Sequence, residues 1–239
     1  MVTCEDMFRL LNLRKHRLLE VDQTKSIRDA RYIVIDTELT GLNEKRDSIV
    51  SVGALRMVGG RIDLGNSFYR LVNPETSLTA ESVVIHEITP SEVVEKPGIE
   101  AVLTEFLEFC GDDIIVGHYV SIDLAFLNRE MVRIFGSRLK NRVLDTAVLF
   151  AFMKDRLPPN STFVTPPRDY RNLYDIAKFL GVPVSGAHNA VMDAFITAQV
   201  FQRLIPMLLS IGIRNVGHLL KLSERGGDSF RTSYVTASL

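Results

Sequence analysis

Asp36-Thr37-Glu38 follows directly on the apolar, β-branched run Tyr32-Ile33-Val34-Ile35. Such a run reads as a buried strand ending at Asp36. Side chains two apart on a strand share a face, so both carboxylates can converge on one point. Acids held side by side repel each other unless a cation neutralises them, and hard divalent ions choose oxygen ligands. The pair is therefore a candidate magnesium or manganese site. The other reading is structural, with Asp36 capping the turn into Gly41 and Glu38 solvated.

Two further segments carry chemistry. Asp123 falls in the first turn of a helix expected after a strand that ends at Gly117. An acid there can ligate a cation or simply favour the helix dipole. His188 and Asp193 are five residues apart, a helical rotation of about 500° that puts them on different faces. They can act together if His188 sits in the lead-in containing Gly186 and Asp193 on the helix after it. Otherwise His188 reads as a cap or core residue. All three segments lie at strand ends or helix starts, where one edge of an α/β sheet forms its sites.

These motifs carry a family resemblance. Asp36-Thr37-Glu38-Leu39-Thr40-Gly41-Leu42 resembles the first motif of the DnaQ-like exonucleases, the group that includes the epsilon proofreading subunit of bacterial DNA polymerase III. Asp123 with Phe126-Leu127 resembles the second motif, and His188 with Asp193 the third motif of the histidine-containing (DEDDh) subfamily. The likeness runs from about Arg31 to Leu220, with motif order and separations as expected. It implies an α/β, ribonuclease H-like fold with a mixed five-stranded sheet flanked by helices. It also implies two divalent metal ions, Mg2+ or Mn2+, held by Asp36, Glu38, Asp123 and Asp193, with His188 as general base. Glu81 and His86 match a family segment that contacts substrate. Leu39 departs from a frequent Thr, Glu87 from a frequent Gly, and Tyr119 and Ile122 from Asn and Phe.

The implied reaction is hydrolysis of phosphodiester bonds at single-stranded 3′ ends, in proofreading or repair. Two cations can stabilise the attacking and leaving oxygens together. An imidazole titrating near neutrality can take the proton of the attacking water. Thr37, Leu39, Gly41 and Leu42 form a turn whose backbone donors and apolar side chains suit a terminal sugar and its base. DNA is favoured over RNA. The alternatives are an RNA-directed exonuclease, of oligoribonuclease or tRNA-trimming type, and a non-catalytic module that grips 3′ ends. A polymerase or another protein is a further expected partner.

The positioning elements read as follows. Ser48 to Val58 and Arg61 to Leu71 flank the hairpin signal Gly59-Gly60, giving a three-strand meander with the first strand. Pro97 to Cys110 and Ser121 to Phe135 read as helices, the latter with Ser121 as N-cap, separated by the strand Ile114-Ile115-Val116. Val143 to Phe152 is ambiguous between strand and helix. Asn172 to Leu180 is helical and stops at Gly181; Ala187 to Ser210 is a long helix with a kink or break near Pro206; a short helix spans Val216 to Leu222. Asp145 reads as a helix cap or a support for neighbouring groups. Gln202 to Met207 reads as core rather than as a clamp-binding peptide.

Three regions follow: an amphipathic helical extension over 1–30, an exonuclease domain over 31–222, and a flexible tail over 223–239. The extension is expected to pack on the main domain, with a membrane-surface or partner-binding role as the alternative. Residues 156–169, with four prolines, read as a loop. Hydrophobic content of 46% and charged content of 24% allow a full core without disulfides or a structural metal. Cys4 and Cys110 form no ligand cluster, which suits a reducing cytoplasm. No apolar run reaches a bilayer-spanning length and no membrane role or leader is expected. A net charge of −1 excludes nothing, because bound cations would add positive charge to such an enzyme.

Overall fold

The computed structural model describes residues 20–154, 156 and 172–224. Its centre is one five-stranded sheet in the order β3-β2-β1-β4-β5. The strands are β1 (Arg31–Leu39), β2 (Ile49–Val58), β3 (Arg61–Leu71), β4 (Ile114–Gly117) and β5 (Val143–Asp145). β1, β2 and β3 pair antiparallel as the expected meander, while β1–β4 and β4–β5 pair parallel. The sheet is therefore mixed.

Strand alternation separates two cores. Tyr32 and Val34 of β1 face one apolar cluster, and Ile33 and Ile35 face the other. The first cluster is covered by α5 (Thr146–Lys154), α6 (Leu173–Phe179) and α7 (Ala190–Ser210). The second is covered by α3 (Ile99–Cys110) and α4 (Ser121–Phe135). On α3, Ile99, Val102, Leu103, Phe106 and Cys110 recur at helical spacing and are all buried. At the centre of the first core, Tyr32 meets Phe201 edge-on, with ring centroids 5.0 Å apart. Such an aromatic pair contributes about 0.5–1.5 kcal/mol beyond its area burial.

Several boundaries differ from the sequence reading. β1 does not end at Asp36 but runs on to Leu39, because Asp36, Thr37 and Glu38 keep pairing with Gly53, Val52 and Ser51. The ambiguous segment after Val143 divides into β5 and α5. Ser121 is the first residue of α4 rather than its cap; Val120 holds that place and makes no side-chain capping bond. α7 starts at Ala190 and continues through Pro206 to Ser210 without a break. Two short helices were not anticipated: α1 (Ala80–His86), capped by Thr79, and α2 (Pro90–Val93), with a capping box between Thr89 and Glu92.

Residues 20–30 do not stand apart from the core. Ile27 is 0% exposed within the first cluster, and Ser26 bridges Asn215 beside the last helical segment, residues 216–224. Residues 1–19 of the expected extension over 1–30, residues 157–169 of the expected loop over 156–169, and residues 225–239 of the expected tail over 223–239 lie outside the described residues. Leu204 and Ile205 are buried, which supports the core reading of that segment. Among the described residues, no helix is long and apolar enough to cross a membrane.

Candidate active site

The strand face that buries Tyr32 and Val34 continues as Asp36 and Glu38, so an apolar stripe becomes an acidic one at the end of β1. α7 lies against this face. Its approach is set by Gly53, the β2 partner of Asp36: a Cβ there would lie 2.3 Å from the Ala190 carbonyl carbon. Glycine lets the first turn of α7 press onto the sheet and bring Asp193 to the two acids. Asp36, Glu38 and Asp193 each offer a carboxylate oxygen within 4.8 Å of the other two.

Asp123 is outside that triplet but beside it. Its Oδ1 accepts from the Thr37 amide at 2.9 Å and from Thr37 Oγ1 at 2.6 Å. Thr37 points to the opposite face from its two neighbours, so this tie joins β1 to α4 across the strand end. Thr37, expected at the substrate, gives both of its donors to Asp123 in this structure.

Burial, reinforced by mutual repulsion, raises the pKa values of these acids above the ordinary carboxylate range. Burial first, then the charges of Asp123, Glu38 and Asp193, raise Asp36 well above the carboxylate range. Burial and the charges of Asp193 and Asp123 push Glu38 up to about 8. Asp123 rises to about 7 through burial, which outweighs the hydrogen bonds from Thr37. Asp193 is raised by burial against the opposing pull of Tyr174 and His188. Its Oδ1 is buried without a hydrogen-bond partner. A set of hard anionic oxygens with one orphaned lone-pair site fits a divalent cation.

His188 lies outside α7, which meets the condition for it to act together with Asp193. Asn189 caps the helix, its side chain accepting from the Met192 amide, and His188 precedes it at φ 63. The His188 amide donates to Asp193 Oδ2 at 3.0 Å, and the imidazole is exposed. Tyr174 on α6 donates its hydroxyl to the same Oδ2 at 2.7 Å.

The remaining expected residues are dispersed around the rim. Leu39 packs partly into the core below α4, Gly41 is filled in by the Asp47 side chain, and Leu42 is 77% exposed. The loop carrying them is pinned: Arg129 of α4 donates to the Asp47 carbonyl at 2.8 Å and also to that of Glu44, and Thr76 donates to the Arg46 carbonyl. Glu81 is exposed on α1, and His86 is buried at its last turn. His86 Nδ1 accepts from the Ile88 amide, which leaves Nε2 carrying the proton with no protein partner.

Asp145 supports the site from behind. Its oxygens accept from the amides of Tyr119, Val120 and Ala147, so one carboxylate holds the turn before α4 and starts α5. His118 in that turn is half-buried, bonded through Nδ1 to Thr146 Oγ1, and its desolvation lowers its pKa to about 3. Sequence reasoning missed Gly53 and Tyr174. A glycine inside a strand signals a close backbone approach, whereas nothing in the spacing singles out Tyr174.

Comparison with known proteins agrees with this architecture. A family model described as Exonuclease (RNase_T) matches residues 33–201. The chain is 32% identical over 196 residues to the DNA polymerase III PolC-type protein of Thermotoga maritima, covering 82% of this chain and 13% of that one. It is 31% identical over 212 residues to the PolC-type protein of Staphylococcus aureus, covering 88% and 14%. It thus spans a small part of the length of these curated relatives. Among solved structures, Exonuclease X in complex with 5′ overhanging duplex DNA matches with a TM-score of 0.56 at 24% identity, over 80% of this chain and 99% of that one. E. coli Exonuclease I in complex with a dT13 oligonucleotide matches with a TM-score of 0.62 at 18% identity, over 77% and 42%. These structures share the fold, the expected ribonuclease H-like sandwich around a mixed five-stranded sheet.

Proposed function

The chain belongs to the RNase_T exonuclease family, and from that premise we propose that it is a metal-dependent 3′→5′ exonuclease acting on single-stranded DNA ends. The observation that carries the reading is the convergence of Asp36, Glu38 and Asp193 within 4.8 Å beside the tethered Asp123. Carboxylates crowded in this way, with raised pKa values, are unstable as bare anions and gain from a bound cation.

Asp36, Glu38, Asp123 and Asp193 would hold two divalent ions, Mg2+ or Mn2+. When bound, such ions neutralise charge on the phosphodiester oxygens and acidify the attacking water. The exposed His188 imidazole takes the proton of that water. Leu42 on its pinned loop offers an apolar surface to the terminal base, and His86 Nε2–H donates to an acceptor on the substrate. Glu81, exposed on the same helix as His86, contacts the strand from its rim. Leu39 and Gly41 shape the turn that carries Leu42. The exonuclease domain is assigned to residues 31–222.

A DNA substrate and a polymerase context are supported by the relatives' name, DNA polymerase III PolC-type. The test uses 5′-labelled single-stranded DNA, duplex DNA and short RNA, each with magnesium, manganese or chelator. We expect stepwise shortening of single-stranded DNA with either metal and none with chelator. Faster loss of the RNA would reassign the substrate, and no cleavage of any substrate with either metal would sink the enzyme reading.

A further inference from the structure

We propose that Tyr174 is a positioning residue for the third motif: its hydroxyl leaves Asp193 one free oxygen for a cation and holds His188 as the Nδ1–H tautomer, with Nε2 as the basic atom. The inference rests on the exonuclease reading for its chemistry, but not for its geometry.

A tyrosine hydroxyl has one proton to give and two lone pairs to offer. Tyr174 Oη lies 2.7 Å from Asp193 Oδ2, an acceptor, so the proton goes there. The Tyr174 oxygen is then left as an acceptor. It receives the His188 amide at 3.1 Å, and that amide is shared with Asp193 Oδ2 at 3.0 Å. The three groups close a small ring. It consumes one Asp193 oxygen entirely, while Oδ1 is buried and has no hydrogen-bond partner. Oδ1 is therefore the oxygen that Asp193 would offer to a cation.

The same oxygen lies 3.4 Å from His188 Nδ1. With its proton committed to Asp193, Tyr174 attracts only an Nδ1–H; the other tautomer would set two lone pairs against each other. Which nitrogen carries the proton is set by the hydrogen bond the other one makes. His188 needs such a hold, because it is exposed and its backbone sits at φ 63, a conformation that a residue with a Cβ rarely adopts. The Tyr174 ring meets the imidazole edge-on at 5.3 Å and 80°, which restrains the ring plane. The hydroxyl thus sets ligand oxygen, backbone and tautomer at once.

The test is nitrogen-15 NMR of the His188 imidazole in the full chain, at a pH where the ring is neutral, with Mn2+ titration and steady-state kinetics on the wild type and Tyr174→Phe. The wild type should show the Nδ1–H tautomer. Tyr174→Phe keeps the ring but should shift the proton towards Nε2 and weaken Mn2+ binding. Its kcat should fall about 10- to 100-fold, the range for losing a partner of a metal ligand. KM should change less than about twofold, as for an interaction made in the transition state. An Nε2–H tautomer in the wild type overturns the proposal, even if Tyr174→Phe does not fold. So does a folded Tyr174→Phe with unchanged tautomer, Mn2+ affinity and kcat. A wild type inactive on every nucleic acid would refute the exonuclease reading, while the NMR and Mn2+ measurements would still decide the role of Tyr174.

Discussion

Thr37 donates twice to one oxygen of Asp123, through its amide at 2.9 Å and its hydroxyl at 2.6 Å. The residue between the two acids of β1 thereby fixes the acid of α4, and the strand supplies both faces of the site. Thr37→Val keeps the shape and removes the hydroxyl bond. A hydrogen bond to a buried carboxylate contributes about 1.5–3 kcal/mol, and losing support for a ligand costs about 10- to 100-fold in turnover. Urea midpoints and single-turnover assays should record both losses, and Thr37→Ser should restore most of each. Equal values for wild type and Thr37→Val would make the tie idle.

Gly53 sets the distance between sheet and helix. A Cβ at that position would sit 2.4 Å from both Ala190 O and Val191 N, which are backbone atoms that cannot swing aside. Gly53→Ala should push the first turn of α7 off β2, separate Asp193 from Asp36, and cost roughly 1–3 kcal/mol as overpacking does. Gly98→Ala is the control, with nothing within 4 Å of its added carbon. Thermal melts and Mn2+ titrations should single out Gly53→Ala alone. A Gly53→Ala protein with normal stability and metal binding would refute the close-approach argument.

The metal-free protein should lose stability as pH rises from about 6.5 to 8. Folding raises Glu38 to about 8 and Asp123 to about 7 and raises Asp36 and Asp193 as well. The folded state therefore binds more protons than the unfolded state, and stability falls with pH by at most about 1.4 kcal/mol per unit for each extra proton. Below about 6.5 the slope is opposed by His118, whose folded pKa is lowered to about 3 and whose contribution is lost as pH falls. Magnesium should raise Tm more at pH 8 than at pH 6.5, where protons compete for the ligands. Melts with chelator that show no decline towards pH 8 would contradict the crowding of these acids.

The legible parts of the molecule were those with a regular period or a fixed rotation. Helical rotation made joint action of His188 and Asp193 conditional on His188 lying ahead of the helix, and the helix starts at Ala190 rather than at Ala187, which leaves His188 outside it at φ 63. The end of β1 was misread because two consecutive polar signals resemble a turn, while pairing with Gly53 and Ser51 carries the strand through them. α1 and α2, of 7 and 4 residues, are too short to print a period. Residues 20–30 look like part of a charged extension, yet Ile27 packs into the first apolar cluster and its amide donates to the carbonyl of Arg214, far away in sequence. The two departures from the family pattern at Tyr119 and Glu87 both fall at positive φ, 51 and 59, where Asn and Gly are easier to accommodate.

His188 offers the sharpest separation of binding from chemistry. Its side chain is exposed, and its tie to Asp193 runs through the backbone amide at 3.0 Å. His188→Ala keeps that amide, so the proposed metal-binding carboxylates should stay in place and Mn2+ affinity should change little. Removing the proposed general base should cut turnover by about 10²–10⁴-fold, the usual worth of such a group. Asp36→Ala, by contrast, removes one of the three converging carboxylates and should lower both metal affinity and turnover. Calorimetric Mn2+ titration beside single-turnover cleavage of labelled single-stranded DNA distinguishes the two variants. Full activity in a folded His188→Ala protein would move the base to another group, and a matching loss of Mn2+ binding would make His188 a ligand instead.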